Sequence, residues 1–177
     1  AGTGTQASPA NLITAIGMAS CNNTVIKMAI GTYTIDNPIV NIAGLVTLEG
    51  GFDPGNGWRK TSQAGATTIL RSALNPQGLA NQERLVAIQM AGASGVRFQD
   101  LTIQTANATG TGMSTYGVHM TSCSNYSFVR TQVLPGNASA GATGAVGATG
   151  NAGGAGGNGT AGDIDDQEDA GAGGGGG

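Results

Sequence analysis

Val96-Arg97-Phe98-Gln99-Asp100-Leu101-Thr102-Ile103 is followed, 30 residues later, by Tyr126-Ser127-Phe128-Val129-Arg130-Thr131-Gln132-Val133. Val96, Phe98, Leu101 and Ile103 fall in phase with Tyr126, Phe128, Thr131 and Val133. Within each half the candidates for burial alternate with polar residues, the period of a strand with one buried face. A second pair of runs, Val86 and Ile88 against Val118 and Met120, is displaced by 32 residues. Short strands recurring every 20–30 residues, with Gly, Asn or Ser turns between them, are what a stacked solenoid needs. No single turn can bury its own face there, so each turn is covered by its neighbours.

Working outward, 25–30, 39–42, 45–48 and 68–70 read as further strands, punctuated by Gly31, Pro38 and Gly44. A β-sandwich is the competing arrangement. It would carry regular hairpin dipeptides between mirrored runs, whereas these strand pairs are displaced by a whole turn. The residues predict an all-β fold, a parallel β-helix. Ahead of it, 8–18 predicts a short helix with Ser8 as N-cap and Pro9 in the first helical position. Leu12, Ile13, Ile16 and Met18 would form its apolar face. The stretch 50–59 reads as a turn-rich excursion, and its Trp58, the only tryptophan, is expected to pack over exposed core edges rather than to stack on a ligand.

The opening Ala7-Ser8-Pro9, the helix after it and Thr24-Val25-Ile26-Lys27-Met28-Ala29-Ile30-Gly31-Thr32-Tyr33-Thr34 resemble the start of right-handed parallel β-helix domains of the pectate-lyase-like superfamily. In those domains a capping helix precedes a first strand and a turn of the Gly-Thr-Tyr-Thr kind. Val46-Thr47-Leu48-Glu49-Gly50-Gly51-Phe52-Asp53 with Trp58-Arg59 looks like the second element of that pattern, and 96–103 is similar to its recurring core turn. The resemblance covers residues 1–135 and implies a right-handed coil. Such modules occur in polysaccharide lyases and hydrolases, and also in large bacterial surface proteins and adhesins. Glycine-rich insertions belong with the second group, and no lyase or hydrolase active-site residue matches a position of this chain.

Of 177 residues, 10% are charged and 4% aromatic, so the polar surface must come from Asn, Thr, Ser and Gln, which suit strand ladders. Five of the ten acidic residues lie in 163–169, and the remainder is slightly basic without a basic stripe, which points away from nucleic acid. No stretch reaches the roughly 20 apolar residues of a membrane span. The opening Ala1-Gly2-Thr3-Gly4-Thr5 has neither the charged nor the apolar region of a secretory leader, and agrees equally with a cleaved leader or a start inside a longer chain.

Chemistry on acidic polysaccharides would need clustered acids for Ca²⁺ with a basic residue nearby, or paired carboxylates. The body offers Asp36, Glu49, Asp53, Glu83 and Asp100, read from sequence as isolated; Asp100 and Arg130 share a phase of the repeat and are expected to pair at the surface. His119, the sole histidine, alternates with Val118 and Met120 and is expected to face solvent. No catalytic or cofactor-binding residue is expected. The only metal candidates are Asp163, Asp165, Asp166 and Glu168, which read first as a solvated acidic linker and alternatively as a weak Ca²⁺ site. Cys21 and Cys123 leave a disulfide or two buried thiols open. Asn-x-Ser/Thr sites stand at Asn22, Asn107, Asn125, Asn137 and Asn158, as chance would give in so Asn- and Thr-rich a chain.

From Gly141 to Gly162 glycine occupies every third position, and no proline occurs in the run, which disfavours a collagen triple helix. A flexible linker and a polyglycine II-like strand packed on neighbours both fit. The expected organisation is a β-helix over 1–135, a glycine-triplet segment over 136–162 and an acidic, glycine-rich tail over 163–177. Together these point to a non-catalytic extracellular structural or adhesive protein, a fibre or sheath subunit that self-associates or meets other surface proteins. The alternative is a module that binds or cleaves polysaccharide.

Overall fold

The computed structural model describes residues 2–19, 24–40, 42–62 and 65–159. The chain divides into two units, Ala1–Ala142 and Thr143–Gly177. In the first, helix α1 (Leu12–Met18) precedes β1 (Val25–Ala29), β2 (Gly31–Ile35), β3 (Thr47–Asp53), β4 (Arg59–Lys60), β5 (Thr67–Arg71), β6 (Arg84–Ala91), β7 (Arg97–Gln99), β8 (Thr102–Thr105), β9 (Ser114–Thr121), β10 (Ser127–Val129) and β11 (Gln132–Leu134). Among the described residues the fold is β-rich with one short α-helix, and its sheets are parallel. Sheet A runs β1-β3-β7-β10, sheet B runs β2-β5-β8-β11, and sheet C pairs β6 with β9; only β4, hairpinned onto β3, is antiparallel among these strands. The chain thus visits A, then B, then the C position, and returns to A. On the first visit the C position is held by a parallel bridge from Ile39 to Ile88.

The register carries the core. In sheet A, Ile26 lies beside Leu48, Leu48 beside Phe98 and Phe98 beside Phe128; in sheet B, Ile69 lies beside Ile103 and Ile103 beside Val133. Leu48, Phe98, Ile69 and Ile103 are fully buried. Parallel strands covered by neighbours on both sides tolerate such apolar files well. The offset of 30 holds for Phe98 and Phe128 and for Ile103 and Val133. In sheet C the offset is also 30, with Ile88 against Val118 and Met90 against Met120, which corrects the 32 read from the sequence. A slip of two residues keeps every side chain on its own face, so alternation cannot separate 30 from 32.

Other boundaries differ from expectation. The helix is capped not by Ser8 but by Asn11, whose Oδ1 accepts the Thr14 N–H at 2.8 Å; Ser8 is drawn into a preceding turn, where its N–H donates to Thr5 O. Leu12 and Ile16 are buried in the core cluster, while Ile13 and Met18 face outward. Residues 31–35, expected as a turn, form strand β2, and β3 continues through Gly50, Gly51 and Phe52 to Asp53. No helix among the described residues is long and apolar enough to cross a membrane.

Corners between sheets repeat left-handed backbone at the same offset. Asp100 (φ 54°) and Arg130 (φ 46°) turn the chain from A to B, and Gly95 (φ 74°) and Asn125 (φ 51°) turn it into A. Asn and Asp tolerate this region best of the non-glycine residues; Arg130 there costs about 1 kcal/mol. A different device closes the loop after β5. Fully buried Arg71 donates from Nη1 to Ser72 O and Leu74 O and from Nη2 to Asn75 O, all within 2.8 Å. Burial pushes its pKa below the ordinary arginine value, partly offset by Asp36.

The first unit runs past β11. Gly136 N–H donates to Thr105 Oγ1 at 2.8 Å, Ala108 N–H to Asn137 O at 2.8 Å and Gly112 N–H to Ala140 O at 2.7 Å. In the second unit, described to residue 159, every described residue is exposed and outside regular secondary structure. A methyl group added at Gly144, Gly147 or Gly150 would meet no atom within 4 Å, and none of the three has a left-handed φ.

Two glycine substitutions separate crowding from backbone freedom. A Cβ at Gly50 would lie 2.4 Å from Asp100 O and 2.8 Å from Thr67 Cβ. Gly50→Ala is therefore expected to lower stability by about 2–3 kcal/mol, read as a reduced urea midpoint at constant m. Gly17 sits in α1 with nothing within 4 Å of its Cβ position, and Gly17→Ala should raise stability by about 0.5–1 kcal/mol.

Candidate functional site

Five of the seven Lys and Arg residues belong to sheet A or follow it directly: Lys27 on β1, Arg59 and Lys60 on β4, Arg97 on β7 and Arg130 after β10. The strand register explains the gathering. Residues flanking the buried file point away from the core, so Lys27, Glu49 and Gln99 form one outward file across β1, β3 and β7. The β3–β4 hairpin brings a further cation. Asp53 accepts the Gly55 N–H at 2.8 Å, Gly57 turns with φ 60°, and β4 returns with Lys60 opposite Phe52.

Asp100 is the centre of this face, and its side chain is fully buried. Arg130 Nε and Nη2 donate to its two oxygens at 2.5 and 2.9 Å, Gln99 Nε2 donates at 3.2 Å, and Lys60 Nζ pairs with Oδ2. Lys60 also pairs with Glu49, whose Oε1 accepts Gln99 Nε2 at 2.9 Å. Arg97 Nε donates to Gln99 Oε1 at 2.8 Å. Two expectations are corrected here. Glu49 and Asp100 are not isolated but share Lys60 and Gln99, and the Asp100–Arg130 pair is buried on its acidic side. Phe52 lies beneath Lys27 and Lys60, with both ammonium groups within 5.7 Å of the ring centroid.

The electrostatics follow from the partners. Bidentate hydrogen bonding from Arg130, reinforced by Lys60 and Gln99, holds the Asp100 carboxyl well below the usual carboxylate range despite the opposing effect of burial. Asp100 in turn raises Arg130 above the ordinary arginine value. A general acid at neutral pH needs a carboxyl pushed upward. Asp100 is pushed the other way, so it is held ionised and its carboxylate ties Arg130, Lys60 and Gln99 together.

Other predicted residues lie elsewhere. His119 is half-buried rather than solvent-facing: its ring meets Tyr116 edge-on at 6.0 Å, and its Nδ1 is shielded without a partner. Cys123 is half-buried, its thiol donating to Thr121 O at 3.5 Å; Cys21 lies outside the described residues, as do Asn22 and the metal candidates Asp163, Asp165, Asp166 and Glu168. Among the described residues no group of three His, Cys, Asp or Glu could hold a metal ion. Asn107, Asn125, Asn137 and Asn158 are exposed. Trp58 is half-buried at the wall of a cleft of about 670 Å³ that also involves Pro9, Met18, Val25 and Lys27.

Lys60 and Gln99 were missed by sequence reasoning. Asn56-Gly57, a strong hairpin signal, could have located β4 and hence Lys60. The chain matches no protein-family model, no curated protein and no solved structure.

Asp100→Asn removes the carboxylate while leaving two cations facing an amide, and is expected to cost about 2–4 kcal/mol by chemical denaturation. Because the folded pKa is depressed, the stabilisation from Asp100 is present above the unfolded value of about 3.9 and is lost as pH falls toward the folded pKa. Stability of the parent chain should therefore drop below about pH 4, and that part of the drop should vanish in Asp100→Asn.

Proposed function

We propose that residues 1–135 form a right-handed parallel β-helix of the pectate-lyase-like kind, and that the protein is a non-catalytic extracellular structural or adhesive protein of a bacterial surface. The observation that carries this reading is the use made of charge on sheet A. Glu49, Lys60, Asp100, Gln99 and Arg130 are engaged with one another across β3, β4, β7 and β10, so the acids that hydrolysis or calcium-assisted lyase chemistry would employ serve as rivets between strands. The three-sheet itinerary, and the offset of 30 shared by the last strand pair of each sheet, support the coil. The glycine-triplet unit, exposed along 143–159, suits a spacer or a strand awaiting partners.

A second reading, a polysaccharide-binding module, draws on the cleft that Trp58 and Lys27 both line. The two are told apart by incubating the purified chain with acidic polysaccharides and Ca²⁺. The structural reading expects no release of unsaturated or reducing sugars and no change in Trp58 fluorescence. Product release would overturn it, and saturable fluorescence change alone would favour the binding module.

A further inference from the structure

Two Asn-Gly pairs stand in the chain, Asn56-Gly57 and Asn158-Gly159. The first lies at the tip of the hairpin that carries Lys60 to Asp100. Pro54–Asn56 make one turn of 3₁₀ helix, and Gly57 follows in left-handed backbone at φ 60°. Trp58 N–H then donates to Asp53 O at 2.9 Å, and β4 pairs with β3 through two residues only. A single 3₁₀ turn is weakly bonded backbone. Asn56 and Gly57 are both exposed, and no atom lies within 4 Å of where a Gly57 Cβ would stand. The peptide nitrogen that follows Asn56 thus belongs to a residue with no side chain and open space around it.

From this arrangement we propose that Asn56 is a site of spontaneous covalent modification, where an isoaspartyl linkage forms and loosens the hairpin that holds Lys60. Asparagine is among the chemically labile residues, and water is the only co-reactant needed. Gly57 N gives its proton to hydroxide and attacks Asn56 Cγ. The N–Cγ bond forms, the bond from Cγ to the amide nitrogen breaks, and that nitrogen leaves as ammonia with a proton from water. The resulting five-membered imide takes up one water molecule. Opening at Cγ gives an ordinary aspartate; opening at the Asn56 main-chain carbonyl leaves Gly57 joined through Cγ. Asparagine and water have become aspartyl or isoaspartyl and ammonia, with no change of oxidation state. In the isoaspartyl product the main chain runs through Cβ and is one atom longer. A return strand of two residues cannot absorb that atom, so β4 shifts and Lys60 leaves Asp100 and Glu49. Asn158 is exposed and outside regular structure, so its conversion disturbs no strand pairing. The inference is independent of the function proposed above.

Incubation of the full chain at mildly alkaline pH tests the site, with peptide mass mapping and methylation by a protein isoaspartyl methyltransferase as readouts. The peptide holding Asn56 and Gly57 is expected to gain the mass difference between amide and acid and to accept a methyl group. The aged chain should also show altered Trp58 fluorescence and a urea midpoint lower by about 0.5 M, equivalent to one lost contact at an ordinary m. Asn56→Gln, whose longer side chain does not close the five-membered ring, should keep its midpoint on ageing. Asn158→Gln should weaken on ageing as the parent chain does. Asn56→Asp carries the new charge without the added atom and should match the fresh parent. Three results would each overturn the proposal: an Asn56 that stays an amide or yields only aspartate, an aged Asn56→Gln chain that weakens like the parent, and a fresh Asn56→Asp chain as weak as the aged parent. Protection by Asn158→Gln would do the same, since the loss would then belong to the glycine unit.

Discussion

In-register parallel pairing is the constraint on which the rest depends. Between the last two visits to the sheets the offset is 30, and there each residue meets the one 30 positions on, whatever its chemistry. Phe98 and Phe128 stack with planes 17° apart, Ser94 and Ser124 share a hydroxyl contact at 3.0 Å, and Asn107 Oδ1 accepts the Asn137 N–H at 2.8 Å. Aromatic meets aromatic, hydroxyl meets hydroxyl and amide meets amide, the cross-strand pairing that stabilises sheets. A chain with so few charged and aromatic residues gains from each such modest contact that the register lines up.

The same constraint decides where charge is tolerated. Asp100 and Arg71 are both fully buried, and they solve the problem differently. Asp100 is compensated by opposite charge and by amide donors, so its ionised form is favoured. Arg71 meets backbone carbonyls, and desolvation outweighs the distant help of Asp36. A buried ion pair adds little net stability over an apolar substitute, but breaking one is expensive. Both residues thus act as specificity devices. Arg71 shapes one loop, and the Asp100 cluster ties together four sheet A strands while holding the Asp100 carboxyl ionised.

Much of this could be read along the chain. Alternating apolar positions located most strands, and the 30-residue echo of 96–103 in 126–133 identified which strands lie side by side. The reading failed where a two-residue ambiguity or a turn motif outweighed pattern. The offset of sheet C slipped from 30 to 32 because both place Val118 and Met120 on the same face. Strand β2 was hidden by Gly31, whose φ of 130° is a bend between two strands rather than an end to structure. The helix cap moved from Ser8 to Asn11 because either residue can accept an N–H, and the competing turn at 4–8 claimed the first.

The candidate site divides along the same line. Asp100 and Arg130 were paired from sequence alone, since equal phase in a repeat means adjacency in a stack. Lys60 reached them through a hairpin that breaks the repeat, and Glu49 through an offset of 50 from Gln99 that no local pattern encodes. Sequence by itself determined the strand content, the repeat and the pairs that obey it, because alternation and period are local properties that stacking merely repeats. Only the tertiary structure decided that Asp100 is buried and that four charges interlock on sheet A. Burial and convergence depend on what non-repeating segments bring across space, and that is written in no period.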